Sequence, residues 1–107
     1  MEIRLRTRGE HKIVEIDGDI DYFSVGELKN SIFALINDRV RSIILDLKDV
    51  EYMDSSGIGL IVTAFKVMNG YGGRIALVHV QEDILALLKL ATVDSIMKIY
   101  ESANDIE

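Results

Sequence analysis

Asp54-Ser55-Ser56-Gly57 stands between a short apolar run and a longer segment of helical spacing, and it places two hydroxyls at a helix start. A helix N-terminus offers unpaired N–H groups and about half a positive charge, so it suits a side-chain oxygen, a carboxylate or a phosphate. Two uses fit these residues. Asp54, Ser55 or Ser56 can cap the helix, with Gly57 and Gly59 easing a tight turn, or a serine there can be a reversible phosphorylation site.

Other chemistries are carried less well. Asp46 and Asp54 could pair around a magnesium ion for phosphoryl transfer, but neither an acidic cluster nor a lysine stands at the corresponding strand ends, and solvated or capping aspartates fit equally. His11 falls in a turn and His79 within a strand, so a metal site or a serine–histidine relay has no support from spacing. Ser55 lacks the glycine two positions earlier that a nucleophile elbow requires, since Met53 is there. Gly57-Ile58-Gly59 lacks the third glycine of a dinucleotide fingerprint. No catalytic residue and no cofactor are expected.

The elements that position Ser55 follow from periodicity. Ile3 to Thr7 and Lys12 to Ile16 alternate as strands around Gly9-Glu10-His11, a hairpin. Ser24-Val25-Gly26-Glu27 has capping-box spacing and opens an amphipathic helix from Val25 to Asn37, with Leu28, Ile32, Leu35 and Ile36 on one face. Ser42 to Leu47 is nearly continuously apolar, the pattern of a central strand covered on both faces. Gly57 to about Asn69 is a second helix, and Gly70-Tyr71-Gly72-Gly73 stops it. A strand from Arg74 to Val80, a helix from Asp83 to Leu90, a short strand within Ser95 to Tyr100 and a short terminal helix from Ser102 complete the pattern. The fold class is α/β, with a mostly parallel mixed sheet, an N-terminal β-hairpin and about four helices. In such sheets ligands and partners meet the C-terminal ends of the strands, where Asp54-Ser55-Ser56 follows the central strand.

The second helix is apolar nearly all round. Ile58, Ile61, Val62, Phe65 and Met68 form the stripe expected to face the sheet, and Leu60, Ala64 and Val67 form another. Neighbouring helices could cover that second stripe, or it could be a docking surface beside the serines.

The 107 residues suffice for one domain, 1–107, without disulfides, and the chain has no cysteine. No apolar run approaches the ~20 residues that span a bilayer, and Met1-Glu2-Ile3-Arg4-Leu5-Arg6 is no secretion signal, so the cytoplasm is expected. A net charge of −6 disfavours nucleic acid and anionic membranes, leaving proteins or small molecules as partners.

Gly18-Asp19-Ile20-Asp21, then Ile44-Leu45-Asp46-Leu47-Lys48-Asp49-Val50, then Tyr52-Met53-Asp54-Ser55-Ser56-Gly57-Ile58-Gly59, resemble in that order the STAS domain, and within it the bacterial anti-sigma factor antagonists. The resemblance runs from about Lys12 to Tyr100 and implies a STAS-type fold. It implies that Ser55, the serine directly after the aspartate, is the phosphorylated residue. It implies partner switching: the unphosphorylated domain binds an anti-sigma factor and frees the sigma factor, the anti-sigma factor acts as a serine kinase that ends the complex, and a PP2C-type phosphatase resets it. It places Asp21, Tyr22 and Phe23 near the serine on the partner surface, which would also hold Asp54, Ser56, Gly57 and Ile58, with Leu60, Ala64 and Val67 from the second stripe. STAS domains that scaffold transporters or signalling complexes without phosphorylation are the alternative. Leu90-Ala91-Thr92-Val93-Asp94 departs from the family in lacking the glycine often found before the last strand.

Overall fold

The computed structural model of the protein describes residues 1–107, and the alternating runs become its hairpin. β1 (Glu2–Arg8) and β2 (His11–Asp17) pair antiparallel with Arg8 opposite His11, so Gly9 and Glu10 alone make the turn. Gly9 has φ +59°, which glycine reaches without a Cβ clash. β3 (Ser42–Asp49) runs parallel to β2, β4 (Arg74–Val78) parallel to β3, and β5 (Ile99–Tyr100) parallel to β4. The spatial order β1-β2-β3-β4-β5 is the order of the chain. Right-handed crossovers in a sheet that grows in one direction put their helices on one face, here α1 (Val25–Asn37), α2 (Ser55–Asn69) and α3 (Glu82–Leu90). No helix is long and apolar enough to cross a membrane.

The core explains the unbroken apolar run of β3. Ile43, Leu45 and Leu47 join the large cluster with Leu28, Ile32 and Ile36 of α1 and Ile61, Ala64 and Met68 of α2. Ile44 points to the opposite face and packs with Ile13, Val78 and Ile106. That face has no helix; the C-terminal residues cover part of it, pinned by Arg8, which donates to the Ala103 carbonyl at 2.9 Å.

Several expectations change. β4 ends at Val78, two residues short of the expected Val80, and α2 begins at Ser55, two residues before the expected Gly57. The terminal helix from Ser102 is a single 3-10 turn, Ala103–Asp105, so three α-helices flank the sheet rather than about four. The capping box at Ser24 and Glu27 does not form: the Ser24 hydroxyl accepts no N–H of its own helix, because it turns back to donate to the Asp19 carbonyl at 2.7 Å and accept the Asp21 N–H at 3.0 Å. Where a glycine was missing before β5, Thr92 itself takes the left-handed conformation at φ +59°. This is an uncommon conformation for a β-branched residue.

Tyr71 ties the end of α2 to the loop before β3. Its hydroxyl donates to the Val40 carbonyl at 2.9 Å, and the Arg39 guanidinium lies 5.1 Å from its ring centroid. Burial pushes the Tyr71 phenol above its usual range, and Arg39 only partly opposes this. A folded-state value raised above the unfolded one means that the neutral phenol stabilises the fold below about pH 10, and that this contribution is lost as pH rises through the folded value. Tyr71→Phe is therefore expected to cost about 1 kcal/mol at neutral pH through the lost hydrogen bond, and to melt with a shallower loss of stability than wild type above pH 10. Parallel alkaline melting curves for the two proteins would refute the assignment.

Candidate functional site

Ser55 opens α2 at the C-terminal end of the sheet and is exposed. The cap behind it is Asp54. Its backbone is extended, its Oδ1 accepts the Ser56 N–H at 2.8 Å, and its carbonyl accepts the N–H groups of Gly57 at 3.1 Å and Ile58 at 3.4 Å. Of the first four N–H groups of α2, only that of Ser55 has no protein partner. Asp54 is thus the cap that the residue types offered, and Ser55 is left free of that duty.

The loop before α1 is brought to the same place by backbone pairing. Beyond the ends of β2 and β3 the two segments touch again, with Ile20 opposite Met53: the Ile20 N–H donates to the Tyr52 carbonyl at 3.0 Å, and the Asp54 N–H to the Ile20 carbonyl at 3.1 Å. Asp21, Tyr22 and Phe23 follow at once. The second carboxylate oxygen of Asp54 accepts the Tyr22 N–H at 3.1 Å, so one side chain joins α2 to the loop. Asp21 Oδ1 accepts the N–H groups of Phe23 at 2.9 Å and Ser24 at 3.0 Å, an Asx turn in place of the expected capping box. Spacing alone gave no signal for the Asp54–Tyr22 link, since the residues are 32 positions apart.

Tyr22 and Phe23 are 70% and 95% exposed, and Tyr52 on the adjoining segment is 54% exposed. The surface around Ser55 therefore mixes aromatic rings with the carboxylates of Asp21 and Asp54. Ser56 and Ile58 are half-buried beside them.

Three of the residues assigned to this surface lie beneath it. Leu60 is 7% exposed, Ala64 is fully buried and Gly57 is buried, so the second apolar stripe of α2 belongs largely to the core and only Val67 remains open, at 38%. Of the stripe expected to face the sheet, Ile61 and Met68 are buried, while Ile58, Val62 and Phe65 lie half-exposed on the flank. Close contact at Gly57 goes with this rotation. A Cβ there would fall 2.6 Å from Met53 Cγ and 2.9 Å from Ile20 Cγ2, both side chains of the segments that carry the site. Gly57→Ala is expected to lower stability by about 1–2 kcal/mol, overpacking outweighing the gain in helix propensity, with a Tm several degrees lower. A Tm at or above that of wild type would show that Met53 simply moves aside.

The carboxylate pair does not converge. Asp46, 3% exposed on the face away from the helices, accepts the Lys48 N–H at 3.1 Å and lies 3.1 Å from His79 Nδ1, whereas Asp54 is engaged by Ser56 and Tyr22. His11 meets the buried Ser42 at 2.6 Å. Neither histidine's hydrogen bonds involve Ser55.

The STAS domain model matches residues 2–106 of this chain. An anti-sigma-B factor antagonist of Staphylococcus aureus is 28% identical over 106 residues, covering 97% of this chain and 98% of that protein. An anti-sigma F factor antagonist of Paenibacillus polymyxa is 32% identical over 91 residues, covering 84% and 78%. A Thermotoga maritima crystal structure, provisionally assigned as an anti-sigma factor antagonist, superposes with a TM-score of 0.91 at 28% identity, covering 96% and 89%.

Proposed function

Because the chain belongs to the STAS domain family, we propose that it is an anti-sigma factor antagonist acting as one domain in the cytoplasm: unphosphorylated, it binds an anti-sigma factor and so releases a sigma factor. The observation that carries this reading is an exposed serine at the first position of α2, free of the cap and bordered by an aromatic loop. Relatives that span nearly all of the chain are named for this role. The partner surface consists of Asp21, Tyr22, Phe23, Asp54, Ser56 and Ile58 around Ser55, with Val67 at its outer margin. Gly57, Leu60 and Ala64 support it from below.

Phosphorylation of Ser55 is the switch. The anti-sigma factor is a serine kinase in this reading: Ser55 Oγ attacks the terminal phosphorus of ATP, its proton passes to a base of the kinase, and ADP leaves. A PP2C-type phosphatase later hydrolyses the ester, returning the hydroxyl and inorganic phosphate. The chain supplies the acceptor and no catalytic group. The added charge, about −1.5 to −2, falls at the positive end of the α2 dipole, which the fold tolerates.

The test is intact-mass measurement and peptide mapping of the protein purified from its own cells. One phosphate on Ser55 is the expected result. Its absence under all growth conditions would overturn the switch and favour a scaffold for a transporter or signalling complex.

A further inference from the structure

Resting on the reading of this face as the partner surface, we propose that Tyr22 and Phe23 form a preset aromatic anchor that selects a partner carrying an apolar pocket with a basic border, and that Asp54 is the positioning residue that holds the anchor against α2.

The anchor is the most exposed aromatic group of the protein, and its backbone is nonetheless ordered. Four consecutive N–H groups are all held: Asp21 donates to Ser24 Oγ, Tyr22 to Asp54 Oδ2, Phe23 to Asp21 Oδ1, and Ser24 to Asp21 Oδ1. The two rings lean on each other, with centroids 5.5 Å apart and planes tilted by 56°. Aromatic side chains carried on a backbone already held in place need no loop ordering on binding, and aromatic side chains that fill pockets dominate interface energies. Tyr52, 54% exposed on the adjoining segment, and half-buried Ile58 add smaller apolar areas, so Tyr22 and Phe23 are the most exposed apolar groups of this face.

Charge defines the border. Asp19, Asp21, Glu51 and Asp54 come from the same two loops, and no lysine or arginine occurs from Ile13 to Leu28 or from Asp49 to Phe65. A partner rim of arginine or lysine fits this ring, and an acidic rim is repelled. Asp54 divides its carboxylate between two elements, Oδ1 to the start of α2 and Oδ2 to the anchor loop. Asp54→Asn separates the two tasks, since the amide oxygen can still cap Ser56 while the NH2 group cannot accept the Tyr22 N–H.

The test places the photo-crosslinking residue p-benzoylphenylalanine at Phe23 or, separately, at exposed Gly59 near the start of α2, in cells of the source organism. Irradiation and mass spectrometry then identify the adduct. Capture of an anti-sigma factor from both positions, with the Phe23 adduct on an apolar segment flanked by Arg or Lys, is the expected result. Capture of the anti-sigma factor from Gly59 alone overturns the anchor and leaves the functional reading intact. Capture of it from neither position removes both.

With that captured factor purified, Phe23→Ala is expected to weaken binding about thirtyfold or more, the range of an interface hot spot. Asp54→Asn is expected to weaken binding about tenfold and to speed exchange of the Tyr22 amide about tenfold while the melting curve stays in place. Wild-type affinity for Phe23→Ala would overturn the anchor; an unchanged Tyr22 exchange rate in Asp54→Asn would overturn the positioning role.

Discussion

Phosphorylated at Ser55, the protein is expected to melt within about 2 °C of the unmodified form and to bind its anti-sigma factor on the order of a hundredfold more weakly. The first half follows from the cap: Ser55 is exposed and carries no load in it, and the helix dipole accepts an anion there. The second half follows from what closes over the site. A basic partner rim draws the protein in at long range, but the closed interface must fit a phosphate, with its bulk and desolvation cost, directly against the carboxylate of Asp54. A loss of about 3 kcal/mol gives the hundredfold change. Ser55→Ala is expected to bind as the unmodified protein does and to ignore the kinase; titration calorimetry and thermal melting check both halves. Equal affinity of the phosphorylated and unmodified forms would remove the switch, and a large fall in Tm would assign Ser55 a structural duty that its contacts do not show.

Leu60→Glu is expected to unfold the protein or lower its Tm by more than about 15 °C, whereas Val67→Glu changes it by no more than about 2 °C. The two residues belong to one apolar stripe, yet Leu60 is 7% exposed and Val67 is 38% exposed. Removing a buried leucine costs about 2–5 kcal/mol before the charge is counted, and an unpaired buried carboxylate adds to that. The sum consumes much of the 5–15 kcal/mol on which a domain of this kind rests. Circular dichroism melts decide the matter. A folded, cooperative Leu60→Glu protein would return the stripe to the surface.

The same helix shows where the sequence was legible and where it was not. Its end and its place after the central strand followed from the apolar period and the glycines after Asn69, while it begins at Ser55, two residues before the expected Gly57. Its rotation did not follow, because Ile58, Val62 and Phe65 are as apolar as Leu60, Ala64 and Met68, and periodicity cannot choose between two apolar stripes. The small residues carried the missing signal. Gly57 and Ala64, seven positions apart, mark the side of closest approach, which becomes visible once Met53 and Ile20 are seen against Gly57. α1 spans the expected Val25–Asn37 with Ser24 at its cap position, yet the side-chain capping box expected of Ser24 and Glu27 does not form. The Asp21 carboxylate takes the Ser24 N–H that Glu27 would have accepted, and the Ser24 hydroxyl turns to the Asp19 carbonyl and the Asp21 N–H instead. Short spacing motifs state which groups can reach each other; competing groups outside the motif decide which pair forms.

The agreement between strand order and chain order bears on how the molecule comes to be folded. Every strand is laid beside the one made just before it, so no intermediate has to open a finished pair of strands to admit a later one. The loops to be closed are each one crossover long, and the entropy lost in closing them stays correspondingly small. The Ile20–Met53 contact and the Asp54–Tyr22 bond need only the segment from β2 through the start of α2. The contacts that draw the two loops around Ser55 together are therefore all encoded before Gly59, and β4 and α3 then complete the one core cluster that makes the domain fold as a unit.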